Sequence, residues 1–207
     1  MAAIIFDFDG TIADSFETVV QIFHELTGRK ERLSPEAIER LRGMSLPQAA
    51  EELGVRPWRM PFLVMVGRRR MGKRIAQVRT HPGVPETVRK LYAEGHQLFI
   101  MSSNSEKNIR LFLKQHHMLK EFVSIYGNVG LLSKAGVLRK IRRRNRLGSD
   151  TCWYVGDEVR DIEGAKLAGI KVIAVTWGFN TAELLRGHQP TVLVNAPTEL
   201  LQVLEEA

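Results

Sequence analysis

Hydrophobic residues follow two different patterns along the chain. From residue 81 onward, short apolar runs alternate with segments in which apolar side chains recur every three or four positions. Short apolar runs are typical of buried strands, and the three-to-four spacing is typical of helices. The predicted strands of this part are 97–101, 122–126, 152–155, 172–175 and 192–194. The predicted helices are 84–94, one from 105, 134–147, 159–168 and a closing helix.

The segment before residue 81 has a different character. Residues 3–8 predict a first, short buried strand, but no strand is predicted between 12 and 80. Helical spacing occurs there instead. The predicted helices of this segment are 16–29, one opening at Ser34-Pro35, 46–54 and 58–79.

Together the two patterns predict an α/β fold. Alternating strands and helices favour a Rossmann-like, mostly parallel sheet with helices on both faces. The helical segment predicts a small all-α unit inserted after the first strand. We therefore expect an α/β core made of residues 1–14 and 81–207, and a helical insert made of residues 15–80.

Composition narrows the class of protein. Of the 207 residues 44% are hydrophobic, which is enough for a buried core. A single cysteine, Cys152, excludes an internal disulfide and suits a reducing compartment. Neither a signal peptide nor a run long enough to span a membrane is recognisable. These features predict a soluble cytoplasmic protein without a membrane partner.

The net charge of +7 is unevenly distributed. Residues 53–85 contain eight basic side chains and no acidic one, and residues 139–146 contain six basic side chains. Such blocks attract anions, which include small phosphates, nucleic acid and acidic proteins. Solvated helix faces explain the same blocks equally simply, so the charge alone leaves these alternatives open.

The first predicted strand ends in Asp7-Phe8-Asp9-Gly10-Thr11. In an open parallel sheet, ligands bind beyond the carboxyl ends of the strands. Two carboxylates at such a position repel each other and resist burial unless a cation lies between them. Gly10 allows a sharp turn of the backbone. This motif is the strongest indication of chemistry in the sequence.

Polar side chains also follow the next two strands. Ser102, Ser103 and Asn104 come directly after strand 97–101, where hydroxyls and helix N–H groups can bind phosphate. The same residue types also form ordinary helix caps. Lys134 follows strand 122–126 and could pair with a phosphate oxygen or with Asp7. Each of these signals is weak when taken alone.

A fourth motif follows strand 152–155. Asp157 stands at the end of this strand, and Asp161 lies four residues later, on the first turn of the next helix. This spacing lets both carboxylates face one ion. Helix capping by Asp157, with Asp161 solvated, is the simpler alternative.

Taken in order, these motifs resemble those of the haloacid dehalogenase-like hydrolase superfamily. The resemblance spans the chain, and the helical insert is similar to the α-helical cap of the phosphoglycolate phosphatase and β-phosphoglucomutase branch. In many relatives a proline follows the motif lysine, whereas Ala135 follows Lys134 here. Either Ser102 or Ser103 can be the serine of the second motif. The matching residues are Asp7, Asp9, Gly10, Thr11, Ser102, Lys134, Gly156, Asp157 and Asp161.

The resemblance implies a magnesium-dependent phosphatase. Mg²⁺ would be held by Asp7, the carbonyl of Asp9 and Asp157, and Asp161 would hold a metal-bound water. Asp7 would attack phosphorus and become an aspartyl-phosphate. Asp9 would protonate the leaving oxygen and later activate water.

Other polar residues of the motifs would bind the substrate, a small anionic phosphate ester. Ser102 and Lys134 would stabilise charge on the transferring group. Thr11, Ser103 and Asn104 would contact the substrate. Phosphoglycolate is the substrate that the family suggests.

Alternative functions differ in what they require. Dehalogenation needs no proton donor at the position of Asp9, whereas a phosphoryl leaving group does. Because Asp9 is present, we reject dehalogenation. A phosphomutase could use the same motifs. A basic module that binds nucleic acid or a protein partner belongs to a different class, and the retained carboxylates and the lack of aromatic-interleaved basic motifs argue against it. The oligomeric state is left open.

Overall fold

The computed structural model describes residues 1–28, 33–130 and 134–205. Its strands are β1 (Ala3–Phe6), β2 (Ala13–Asp14), β3 (Arg79–Thr80), β4 (Gln97–Met101), β5 (Phe122–Tyr126), β6 (Cys152–Gly156), β7 (Lys171–Val175) and β8 (Val192–Val194). Its helices are α1 (Phe16–Thr27), α2 (Pro35–Arg42), α3 (Leu46–Glu52), α4 (Met60–Arg74), α5 (Val84–Ala93), α6 (Glu106–Gln115), α7 (Lys134–Arg144), α8 (Val159–Ala168), α9 (Ala182–Gly187) and α10 (Glu199–Glu205).

Six strands form one parallel sheet in the order β5-β4-β1-β6-β7-β8. The side chains of β1 alternate between the two faces: Ile4 and Phe6 pack into one apolar cluster, and Ala3 and Ile5 into another. All four are buried, which is why β1 appears in the sequence as a continuous apolar run.

Helices cover both faces of the sheet. Apolar side chains of α5, α6 and α10 join the cluster that contains Ile4, and those of α7, α8 and α9 join the cluster that contains Ile5. The predicted α/β class with helices on both faces is therefore confirmed. None of the helices in the described ranges is both long and apolar enough to cross a membrane.

Helices α1 to α4 occupy the segment between β2 and β3. The prediction of no strand between residues 12 and 80 is wrong, because β2 and β3 pair antiparallel, with Ala13 opposite Thr80 and Asp14 opposite Arg79. Strands of two residues are too short to show an alternating pattern. The first helix ends at Thr27, before Gly28, and the last residue of its predicted range lies outside the described residues.

Further elements differ from the sequence prediction. Helix α4 ends at Arg74 rather than at residue 79, since a 3₁₀ turn over Ile75–Gln77 leads into β3. Helix α9 was not predicted. It has only six residues, and the Thr181 hydroxyl caps it by accepting a hydrogen bond from the backbone N–H of Leu184 at 3.4 Å.

The basic blocks make contacts within the protein. Arg70 and Arg74 of α4 both pair with Glu25 of α1. On α7, Arg139 donates to the carbonyl of Leu167 at 2.8 Å, near the end of α8. Cations at a helix C-terminus are favourable because the last carbonyls carry partial negative charge. These arginines therefore have structural roles that require no external anion.

Candidate active site

The strand order brings the sequence motifs together. Strand β1 lies between β4 and β6, so the carboxyl ends of these three strands share one edge of the sheet. Asp7 follows β1, Ser102 follows β4, and Asp157 follows β6. Lys134, the first residue of α7, is also placed at this edge because it bonds to Asp7. Ligands of open parallel sheets bind at such an edge.

Lys134 links two carboxylates in the interior. Its Nζ lies 2.7 Å from Oδ2 of Asp7, and it also forms a short ion pair with Asp161. The hydroxyl of Tyr154 donates to the same oxygen of Asp161 at 2.9 Å. Asp7, Lys134 and Asp161 are all at least 97% buried. The expected contact between Lys134 and Asp7 is therefore present.

Burial and neighbouring charges shift the pKa values of these three groups in different directions. Burial raises the pKa of Asp7 to about 7, although Lys134 opposes this effect. Burial alone would also raise the pKa of Asp161, but Lys134 and Arg160 outweigh it and the net shift is downward. For Lys134 burial favours a lower pKa, and Asp161 and Asp7 reverse that effect to hold the amine charged.

Asp9 is held apart from this group. Its Oδ1 accepts a hydrogen bond from the hydroxyl of Ser15 at 3.0 Å, and the amide of Asn104 donates to its Oδ2 at 3.1 Å. Burial raises the pKa of Asp9, and these two hydrogen bonds partly oppose the shift. A raised pKa suits a carboxyl group that must carry a proton before it donates it.

Asp157 has a separate set of partners. Its carboxylate accepts from the hydroxyl of Thr11 at 2.6 Å and from the backbone N–H of Phe179 at 2.7 Å. The resemblance predicts that Thr11 contacts the substrate. In the structure Thr11 is buried, and its hydroxyl donates its hydrogen bond to Asp157. Burial raises the pKa of Asp157 well above its usual range, and Glu158 and Asp161 add to this effect.

A cluster of three buried carboxylates was not predicted from the sequence. Oxygens of Asp7, Glu158 and Asp161 all lie within 4.8 Å of one another, and all three residues are buried. Arg160 pairs with Glu158, with Nε 3.0 Å from Oε2. Sequence analysis missed Glu158, although it is adjacent to Asp157 in the motif. It also missed Tyr154, which resembles any other buried strand residue.

The charge of this edge suits a divalent cation. Two cations, Lys134 and Arg160, face five carboxylates, which leaves three negative charges when all are ionised. Carboxylate oxygens are the ligands that Mg²⁺ and similar hard cations prefer. The donor set therefore fits a divalent metal, whose charge would offset the cost of burying these groups. The carboxylates are those of Asp7, Asp9, Asp157, Glu158 and Asp161.

The residues after β4 form a tight turn next to Asp9. The Ser102 hydroxyl is buried and accepts from the backbone N–H of Asn104 at 3.0 Å. Asn104 bonds to Asp9 through its side chain, so it positions the carboxylate as well as lining the site. Ser103 lines the adjacent cavity. Ser102 and Ser103 thus differ in setting, and Ser102 alone is buried beneath the turn.

The turn after Asp9 requires glycine. Gly10 has a φ of +80°, and a Cβ there would stand 2.2 Å from Oδ2 of Asp157. We expect Gly10→Ala to lower the free energy of unfolding by about 2–5 kcal/mol, because backbone strain and a steric clash act together. Urea denaturation measures this. Gly136→Ala is the control, since among the described residues no atom beyond its own helical turn lies within 4 Å of its added Cβ; an equal loss in both variants would contradict the prediction.

Comparisons with known proteins identify the family of this chain. Residues 4–175 match the family model described as haloacid dehalogenase-like hydrolase. The phosphoglycolate phosphatase of Synechococcus elongatus is 34% identical over 208 residues, covering 100% of this chain and 98% of that protein. A 5'-nucleotidase of Pseudomonas aeruginosa is 30% identical over 130 residues, covering 61% and 59%.

A solved structure gives the same result for the fold. A haloacid dehalogenase-like family hydrolase from Streptococcus pneumoniae superposes with a TM-score of 0.79 at 23% identity, and 98% of each chain is covered. The family match covers most of the chain and includes the first and last motifs. The chain therefore belongs to the haloacid dehalogenase-like hydrolase family and is a phosphoric monoester hydrolase.

Proposed function

We propose that this protein hydrolyses a small phosphate monoester through an aspartyl-phosphate formed on Asp7. The observation that carries the proposal is the contact of Asp7 with Lys134 at 2.7 Å, at a buried edge where Asp9 is held separately by Ser15 and Asn104. One carboxylate is thus paired with a cation, and the other is held in a hydrogen-bonded position. This division suits a nucleophile and an acid–base catalyst.

A divalent metal, Mg²⁺ in this proposal, would be held by Asp7, by the backbone carbonyl of Asp9 and by Asp157. Asp161 would support it, and Glu158 would be a further donor because its carboxylate lies beside those of Asp7 and Asp161. When bound, the metal supplies positive charge that offsets repulsion between a carboxylate and a phosphate dianion.

The reaction has two chemical steps. In the first, a carboxylate oxygen of Asp7 bonds to phosphorus while the bond to the ester oxygen breaks, and Asp9 gives its proton to that oxygen. In the second, Asp9 takes a proton from water while the water oxygen bonds to phosphorus and the bond between phosphorus and the Asp7 oxygen breaks, which releases inorganic phosphate. Asp7 and the protonated Asp9 are then restored.

Lys134 and Ser102 bind the transferring group in this scheme. Lys134 stays charged because Asp161 and Asp7 outweigh its burial, so it can neutralise charge that builds up on the phosphoryl oxygens. The Ser102 hydroxyl already accepts from the N–H of Asn104, which leaves its own proton for a phosphoryl oxygen. Ser103 and Asn104 complete the substrate side of the site.

Residues 15–80 act as a cap over this edge in the proposal. Arg42 of α2 donates to the carbonyl of Gly178 at 2.9 Å and to that of Phe179 at 3.1 Å. The side chain of Asn180 in turn donates to the carbonyl of Met44 at 2.9 Å. These bonds hold the helical segment against the loop that also contacts Asp157, where a closed cap would exclude water.

A panel of phosphate esters, assayed with Mg²⁺ and with a chelator, tests the proposal. We expect hydrolysis that falls at least about 100-fold on chelation and returns with Mg²⁺, because the carboxylates repel an unscreened dianion. Phosphoglycolate is the first ester to try, given the 34% identical relative. Measuring released phosphate against isomerised sugar phosphate distinguishes a phosphatase from a mutase. Turnover that is insensitive to the chelator would refute the metal-dependent scheme.

A further inference from the structure

A large cavity opens from the candidate active site into the helical segment. It has a volume of about 330 Å³. Asp9, Ser103 and Asn104 line one part of it, so it is continuous with the site at which Asp9 would protonate a leaving group. This size is typical of cavities that enclose a small organic ligand.

The walls of this cavity are polar at one end and apolar at the other. The residues from the sheet edge are mostly polar, whereas almost all of those from α1 to α4 are apolar. Prominent among the apolar residues are Phe23, Leu26, Leu41, Leu46, Leu63 and Val64. A cavity divided in this way matches a molecule with a phosphate at one end and a hydrocarbon portion at the other.

The apolar walls are not filled by the protein itself. Val19, Phe23 and Leu63 are only partly buried, although they belong to the interior face of the helical segment. Among the cavity-lining residues of α1 to α4, only Ile22 and Met71 are fully buried. Keeping apolar surface uncovered is unfavourable by about 25 cal/mol per Å², which makes a ligand that covers it bind more tightly.

The basic side chains that line the cavity each bond to groups of the protein, but among the described residues Nε of Arg68 and one terminal nitrogen of Arg160 are buried without a hydrogen-bond partner. Arg42 donates to two loop carbonyls, Arg160 pairs with Glu158, and Arg68 donates to the carbonyl of Val129 at 3.1 Å. Apart from Arg42 and Arg68, the lining residues of α1 to α4 are apolar, so a charged leaving group lying among them would need a partner that they do not supply. An uncharged leaving group has no such need.

We infer that the preferred substrates carry an apolar alcohol, an alkyl or aryl group, on the phosphate, and that α1 to α4 bind this group. The inference rests on the proposed phosphatase function and specifies its substrate class. The phosphate reaches Asp7 at the polar end, and the hydrocarbon occupies the cavity beyond Asp9. Phosphoglycolate, whose leaving group is charged, represents a different class.

A series of n-alkyl phosphates from methyl to octyl tests this inference, with phosphoglycolate assayed alongside. We expect kcat/KM to rise about fourfold for each added methylene until the cavity is filled, as each buried methylene gains about 0.8 kcal/mol. A kcat/KM that stays flat along the series, or a clear preference for phosphoglycolate over the octyl ester, would overturn the inference.

A variant that fills the cavity tests whether the hydrocarbon part of the substrate binds there. A Cβ at Gly67 in α4 meets only Cγ2 of Ile22, at 3.8 Å, so a larger side chain can enter the cavity. We expect Gly67→Phe to lower the ratio of octyl to methyl kcat/KM at least tenfold, and Gly67→Ala to lower it far less. Phe62→Ser is the control on the same helix, because Phe62 is 57% exposed and lies outside the lining. If the ratio of octyl to methyl kcat/KM is unchanged in Gly67→Phe, the hydrocarbon binds outside this cavity.

A binding measurement separates this inference from the proposed function. If no ester is hydrolysed, the phosphatase proposal fails, but the cavity can still be examined with phosphonic acids, which cannot be hydrolysed in this way. Calorimetry should then show octylphosphonic acid binding more tightly than methylphosphonic acid, with a negative heat-capacity change, and weakened by Gly67→Phe. Equal affinity for the two acids would overturn the inference independently of turnover.

Discussion

Replacing Asp7 by Asn is expected to abolish hydrolysis of phosphate esters, with kcat falling at least about 10⁴-fold. An amide of the same shape cannot attack phosphorus. Its oxygen can still accept the bond from the backbone N–H of Phe8, which Oδ1 of Asp7 accepts at 2.8 Å. The backbone at this position should therefore be preserved while the nucleophile is lost.

Single-turnover assays with radiolabelled phosphate esters provide the direct measurement. Wild-type protein should acquire acid-stable label during turnover, and Asp7→Asn should acquire none. Asp150→Asn is the matched control, since Asp150 is an exposed carboxylate in the turn before β6. Near-normal turnover in Asp7→Asn would rule out the covalent mechanism, whereas loss in both variants would point to general damage.

Replacing Lys134 by Ala is expected to lower the free energy of unfolding by about 3–5 kcal/mol in chelator. The lysine is 97% buried and is the ion-pair partner of both Asp7 and Asp161. Without it, two neighbouring carboxylates remain in the interior with one cation, Arg160, nearby. Removing one member of a buried ion pair is costly because the remaining charge cannot be solvated.

The pH dependence gives this prediction a second readout. Because Lys134 lowers the pKa of both carboxyl groups, its removal should raise both pKa values relative to the wild-type protein. The loss in free energy of unfolding should thus be fully present above those raised pKa values. It should shrink as the pH falls and the two carboxylates take up protons. Urea denaturation at several pH values measures this. Lys140→Ala, an exposed change on the same helix, should cost at most about 0.5 kcal/mol; a deficit that does not vary with pH would contradict the electrostatic explanation.

The sheet was largely predictable because its central strands are buried on both faces. Strands β4, β5 and β8 match their predicted ranges, and β6 and β7 differ by one residue each. Buried parallel strands appear as unbroken apolar runs, which are easy to detect. The ribbon of β2 and β3 could not be detected in this way, because its pairing depends on the helical segment returning the chain to the same place.

The site was predictable in its residue types and less so in its contacts. Asp7 and Asp157 were found because carboxylates directly after apolar strands are unusual, and Lys134 was found by its order among the motifs of the resembling family. The contacts depend on β1 lying between β4 and β6, which no local pattern encodes. Side-chain direction is equally hidden, so the bond from Thr11 to Asp157 and the place of Glu158 beside Asp7 and Asp161 emerged only from the structure.

The pairing of β2 with β3 has a consequence for how this protein can change over evolutionary time. Asp14 and Arg79 lie opposite each other in this ribbon, so the helical segment between them begins and ends at neighbouring points. An excursion whose two ends are neighbours can be lengthened, shortened or exchanged at little cost to the rest of the fold. New leaving groups could thus be accommodated by remodelling the excursion while Asp7 and its chemistry are inherited unchanged.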